Sequence, residues 1–170
     1  MKRTFIIALV LSVTTFAFAQ TKRFQFEAGL NYPLSFETGG YKQSELGVYI
    51  SGTYNFKESP LSVKLKMSRD NYSMVYPLFI LGGEAYTIIP SLNYTIPLSK
   101  KATFYAGLGL GASYERVVIV EENQKEGSPW NFVAATQVGV HLFKHLNVSA
   151  HYNIINKHYS RLMLGVGYVF

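Results

Sequence analysis

Eight ionisable side chains of this 170-residue chain could do charge or proton chemistry: Glu27, Glu45, Lys64, Lys66, Glu115, His141, His151 and Arg161. Most of their neighbours are apolar or small. His151, in "SAHYNIIN", is where nucleophilic catalysis can be asked for. A histidine two residues from a serine on an extended strand could draw off the hydroxyl proton for attack on an ester. Asn153 stands at that place, and an amide has no hydroxyl to activate. His141, His145, His151 and His158 do not share ligand spacing on one element, so a metal site and a cofactor are not expected. What remains is electrostatic. Charges removed from water must pair, or they become very costly.

The elements that would hold these groups follow from the period of the sequence. Apolar residues recur at every second position in eight runs, which is the pattern of strands. In "FYAGLGLGASYE", Phe104, Ala106, Leu108, Leu110, Ala112 and Tyr114 share one face. Tyr105, Gly107, Gly109, Gly111, Ser113 and Glu115 share the other. The alternation predicts strands over 24–32, 45–56, 61–68, 86–96, 104–115, 131–142, 146–154 and 161–170. All eight ionisable residues fall on the weaker face, with Glu27 at a depth similar to Lys64 and Lys66. Glu45, Glu115 and Arg161 fall near the opposite rim. Pro90 cannot donate to a ladder, so a bulge is expected there.

The connectors alternate as well. Those over 57–60, 97–102 and 143–145 are short, whereas 33–44, 69–85, 116–130 and 155–160 are mostly longer. The start, "MKRTFIIALVLSVTTFAFAQ", has a basic beginning, an apolar stretch and a small-x-small site at Ala17-Phe18-Ala19. It reads as a signal peptide over 1–19, leaving 20–170 as one domain. No later segment carries the roughly 18 apolar residues of a spanning helix. Yet the chain is 15% aromatic and only 15% charged, against about 25% charged in ordinary globular proteins. An exported, apolar chain without a helical span is what membrane-crossing strands explain, because a closed barrel satisfies every backbone group.

Alternation alone does not say which face is outside. A soluble lipocalin-like barrel would turn its apolar side inward. Three features favour the reverse. The weaker face is rich in glycine and small polar residues that suit a narrow interior. Aromatics gather at both ends of the apolar faces. Charges avoid those faces, and Lys22, Arg23, Lys57, Lys100, Lys101 and Lys144 gather at the short-turn rim with Glu58 as its only acid. The fold class is therefore all-β: an eight-stranded antiparallel up-and-down transmembrane β-barrel, monomeric, in the outer membrane. The net charge is +6, but no basic run with interleaved aromatics suggests nucleic acid. Membrane lipids are the expected partners, and the long loops could meet a surface ligand.

The stretches "YTIIPSLNYTIP", "FYAGLGLGASY" and "GVGYVF" resemble the small, porin-like outer-membrane β-barrel domain proteins of Bacteroidetes-type Gram-negative bacteria. In such barrels the last strand is read by the insertion machinery, as polar-x-Gly-x-x-aromatic/apolar-x-aromatic. Gly165, Tyr168 and Phe170 match that signal, while Met163 occupies its polar position. The resemblance implies a structural or surface-interaction role without catalysis. A narrow channel is the alternative. A lipid-modifying enzyme is the second, since small outer-membrane lipid A deacylases carry a His-x-Ser pair that Asn153 breaks here. In the favoured reading the inward charges form a network that plugs the lumen.

Overall fold

The computed structural model describes residues 23–36, 41–75, 80–119, 124–127, 130–156 and 159–170. The signal peptide expected over 1–19 lies outside them. Among the described residues there are ten strands: β1 Phe24–Phe36, β2 Tyr41–Ser44, β3 Gly47–Asn55, β4 Leu61–Val75, β5 Ile80–Ser99, β6 Ala102–Ile119, β7 Gln124–Gly127, β8 Asn131–Leu142, β9 Leu146–Asn156 and β10 Tyr159–Val169. Eight of them, β1, β3, β4, β5, β6, β8, β9 and β10, pair antiparallel in chain order, and β10 closes the ring on β1. No edge is left within the ring, so every strand has a partner on both sides.

The apolar faces point outward. Leu108 is 69% exposed, and Leu110, Val138 and Val166 are exposed with it. In a membrane these side chains meet acyl tails. Tyr54 and Phe56, and Tyr168 and Phe170, stack edge-on near the short turns, and Tyr114 packs on Trp130 at the far rim. These are the two interfacial aromatic belts of such barrels. The exposed Arg69 and its partner Glu84 depart from the rule that charges avoid this face. They pair across the β4–β5 ladder at 2.6 Å, at the far rim.

Three expectations need correction. The strands over 61–68 and 86–96 are much longer: β4 and β5 stay paired out to Val75 and Ile80. Above a membrane both faces of a hairpin are wet, so alternation fades there although the ladder continues. For the same reason two short strands were invisible. β2 pairs with β4 and β7 with β6, both within segments expected to be loops. Finally, no bulge occurs at Pro90. The register with β6 is the same on both sides, from Ile88↔Ala112 to Ser91↔Gly109, and only the pairings between are missing. Gly111 makes this possible. A Cβ there would lie 2.1 Å from the Ile88 carbonyl oxygen, so the strands close together past the proline. Register shifts next to prolines fall instead between Pro33 and Ser35, against β10, and between Pro97 and Ser99, before the turn of Lys100 and Lys101.

Candidate functional site

The site is the interior of the ring. Glu27 on β1 anchors its periplasmic half. Lys64 Nζ on β4 donates to Glu27 Oε2 at 2.8 Å, and both side chains are almost wholly buried. The Tyr49 hydroxyl and Asn147 Nδ2 each donate to Glu27 Oε1 at 2.5 Å, and Ser51 reaches Oε2 at 3.3 Å. One carboxylate thus gathers four donors from three strands. Breadth of this kind is what a buried charge requires. Room for the large tyrosines comes from glycines on nearby strands. A Cβ on Gly139 would lie 2.5 Å from the Tyr105 hydroxyl, and one on Gly167 would lie 2.3 Å from that of Tyr49.

Lys66 is answered indirectly. Its ammonium donates to Asn31 Oδ1 at 3.2 Å and sits 4.3 Å from the centre of the Tyr49 ring, a cation–π arrangement. Asn31 Nδ2 in turn donates to Asp70 Oδ1 at 3.1 Å, and Ser68 donates to Asp70 Oδ2 at 3.1 Å. Across the ring, Gln137 Nε2 donates to Asn93 Oδ1 at 2.5 Å and to Ser91 Oγ at 2.8 Å. Nearer the outer rim Arg161, fully buried, pairs with Glu115. The lumen is charge-matched: Glu27, Asp70 and Glu115 stand against Lys64, Lys66 and Arg161.

Between these polar groups lies an apolar layer. Ile89, Val133 and Ile155 cluster from three strands, with Ala135 against them, and Met163 is buried on β10. Beside them a void of about 20 Å3 remains, bordered by Lys66, Gln137 and His151, room for about one water molecule. The periplasmic mouth is different. There a cavity of about 440 Å3 is lined by Lys64, Tyr105, His141, Lys144 and His145 among other polar residues. Ser149 Oγ lies 2.7 Å from His151 Nε2, both buried. This hydroxyl–imidazole pair, two residues apart, sits on the opposite side of His151 from Asn153.

Of the residues expected here, the structure joins Glu27 to Lys64 and Glu115 to Arg161, and it buries Lys66 and His151. His141 faces the periplasmic cavity, apart from His151. Glu45 does not belong. It is exposed in the break between β2 and β3. The alternation does not carry across that break, and the lumenal place is taken at Gly47, where a Cβ would lie 2.3 Å from Asp70 Oδ1. Asp70, beyond the end of the strand expected over 61–68, supplies a lumenal carboxylate that alternation does not mark. Tyr49, Asn31, Asn147 and Gln137 carry no charge to mark them; the signal for Tyr49 and Tyr105 is a bulky ring on a face otherwise supplied with glycine. Gly165 faces the lumen against Ser149, while Tyr168 and Phe170 are exposed in the periplasmic aromatic belt. Met163, in the polar position of the terminal pattern, serves the apolar layer.

A family model described as "Outer membrane protein beta-barrel domain" matches residues 5–170. Neisserial surface protein A, of Neisseria, superposes with a TM-score of 0.66 at 16% identity, covering 86% of this chain and 95% of that one. Ail, the attachment invasion locus protein of Yersinia pestis, gives 0.57 at 16% identity, with 87% and 98% covered. The N-terminal β-barrel domain of Pseudomonas aeruginosa OprF gives 0.52 at 13% identity, with 87% and 98% covered. At these identities the likeness is one of fold. No curated protein matches the chain.

Proposed function

The chain belongs to the outer membrane protein beta-barrel domain family, and from that premise we propose that it serves the bacterial outer membrane as a closed, non-conducting barrel with a structural or surface-contact role. The observation that carries this reading is the filled midsection. The Glu27–Lys64 network and the apolar side chains of Ile89, Val133, Ile155 and Met163 fill it, with a void of about 20 Å3 beside them. An eight-stranded interior is just wide enough for its own side chains. A hydrated ion would have to displace a paired charge or cross an apolar constriction. In planar bilayers the purified barrel is expected to give no discrete conductance steps; reproducible openings would defeat the reading in favour of a narrow channel.

Catalysis has no place in it. The Ser149–His151 pair is buried, and the void beside His151 admits about one water rather than an acyl ester.

The surface-contact part rests on the extended strands. β4, β5 and β6 continue beyond the outer aromatic belt, flanked by β2 and β7, and among the described residues β2 pairs only with β4 and β7 only with β6. A projecting sheet with open edges can accept a further strand. Ail has been solved with the heparin analogue sucrose octasulfate, which makes heparin a reasonable first probe. Deleting residues 117–127 should leave heat-modifiable gel migration intact and reduce adhesion of barrel-displaying cells to immobilised heparin. Equal adhesion would remove the support for contact through this sheet.

A further inference from the structure

The periplasmic mouth holds a feature that a sealed wall has no use for. Its cavity of about 440 Å3 falls within the size range of small-solute sites. Two of the basic residues lining it come from strands, Lys64 on β4 and His141 on β8, and two from the β8–β9 turn, Lys144 and His145. The rest of the lining supplies mainly hydroxyls and amides, and no Asp or Glu belongs to it. Lys64 is already answered by Glu27; Lys144 has no carboxylate partner among the described residues. The Nε2 atom of His141 is buried without a hydrogen-bond partner, its ring 5.0 Å from that of Tyr105. A buried imidazole nitrogen left open beside a polar cavity is an unmet donor or acceptor. Around the mouth stand Arg23, Lys57, Lys100 and Lys101, with Glu58 as the acid among them. A cleft lined by one sign of charge concentrates the opposite ion.

We propose that this vestibule binds the oxyanion of a small hydrophilic solute on the periplasmic side, a phosphate or carboxylate carried on a sugar- or amino-acid-sized body. Lys144 supplies the free charge, His141 Nε2 supplies a donor, His145, whose Nδ1 donates to the Val169 carbonyl oxygen at 2.9 Å, borders the site, and the surrounding hydroxyls and amides meet the polar body. Charge-assisted hydrogen bonds of this kind are the strong ones. The strand residues of the lining, among them Gln25, Thr53, Lys64, Asn93 and His141, all lie on the lumenal face. The cavity therefore opens along the barrel axis into water rather than sideways into the bilayer, which favours a free solute over a lipid headgroup.

The test uses the full barrel in nanodiscs of zwitterionic lipid, with glucose 6-phosphate as probe and glucose as control. The ring signals of His141 and His145 are followed by NMR. Glucose 6-phosphate should shift both saturably and glucose should not. The double variant His141→Gln, Lys144→Gln should weaken binding about tenfold or more, equivalent to about 1.4 kcal/mol. Heat-modifiable migration checks that the variant is folded; should it fail to fold, Lys144→Gln alone, on an exposed turn, must still weaken binding severalfold. The proposal is overturned if the shifts do not saturate, or if the variants bind as well as the wild type, which would place the anion on the rim lysines. It is equally overturned if the shifts appear only when phosphatidylglycerol is added to the discs, which would make a headgroup the source.

Discussion

The two halves of the lumen seal the same tube by opposite means. Towards the periplasm, closure is polar: Glu27 collects Lys64, Tyr49, Asn147 and Ser51, and the space above it stays open as a vestibule. Towards the outer rim, closure has an apolar layer: Ile89, Val133 and Ile155 cluster, Met163 is buried against the same small void, and Arg161 and Glu115 lie beyond them. The polar half depends on partners and is unforgiving of the loss of one. The apolar half depends on volume, and truncation there costs in proportion to the space left empty.

The largest effect should therefore come from Glu27→Ala, which strands Lys64 at 2% exposure. Breaking a buried pair from one side costs about 3–5 kcal/mol, and urea unfolding in lipid vesicles would register it. The double variant Glu27→Leu, Lys64→Met should recover most of that loss. If the single variant is as stable as the wild type, the polar half is not held by this pair. Next comes Met163→Ala, expected to cost about 2–4 kcal/mol by the cavity it leaves while the bilayer stays unpermeated, since the polar half remains shut. Conductance in this variant would show that the apolar layer alone is the seal. The smallest effect lies outside both halves, in the β8–β9 turn, where Phe143 and Lys144 adopt φ of 51° and 70°. Left-handed conformations disfavour side-chain-bearing residues by about 1–2 kcal/mol. Phe143→Asn with Lys144→Gly should thus raise stability by about 1 kcal/mol, read from the same unfolding curves. A drop would mean that the contacts of Phe143 outweigh its strain.

The contrast between halves also marks what the sequence could tell. Where the chain crosses the membrane, one face meets lipid and the other a narrow interior, so alternation defines each strand and its facing. The outward placement of Leu108 and Val166, and the inward placement of Glu27, Lys64 and Arg161, were readable for that reason. Above the membrane the constraint disappears, and with it the signal for β2, β7 and the ends of β4 and β5. Asp70 lies in those ends, and Glu45, which alternation turns inward, is exposed at the break between β2 and β3. The amide relay through Asn31 and the crossing contact of Gln137 were beyond reach for another reason. They reach over one intervening strand, β3 for Asn31 and β6 for Gln137, and the side-chain geometry that lets them meet is not given by strand order and register alone.

Glu27 takes Lys64 from a strand that is not its neighbour and Asn147 from a position 120 residues away in the chain. The last of these donors can be set only after the first and last strands have met. Until then the carboxylate has Tyr49, Ser51 and Lys64 from β3 and β4 but lacks Asn147, and an open sheet would carry it into the bilayer incompletely satisfied. Ring closure thus completes the partners of a buried charge, and a barrel left open is penalised within the membrane.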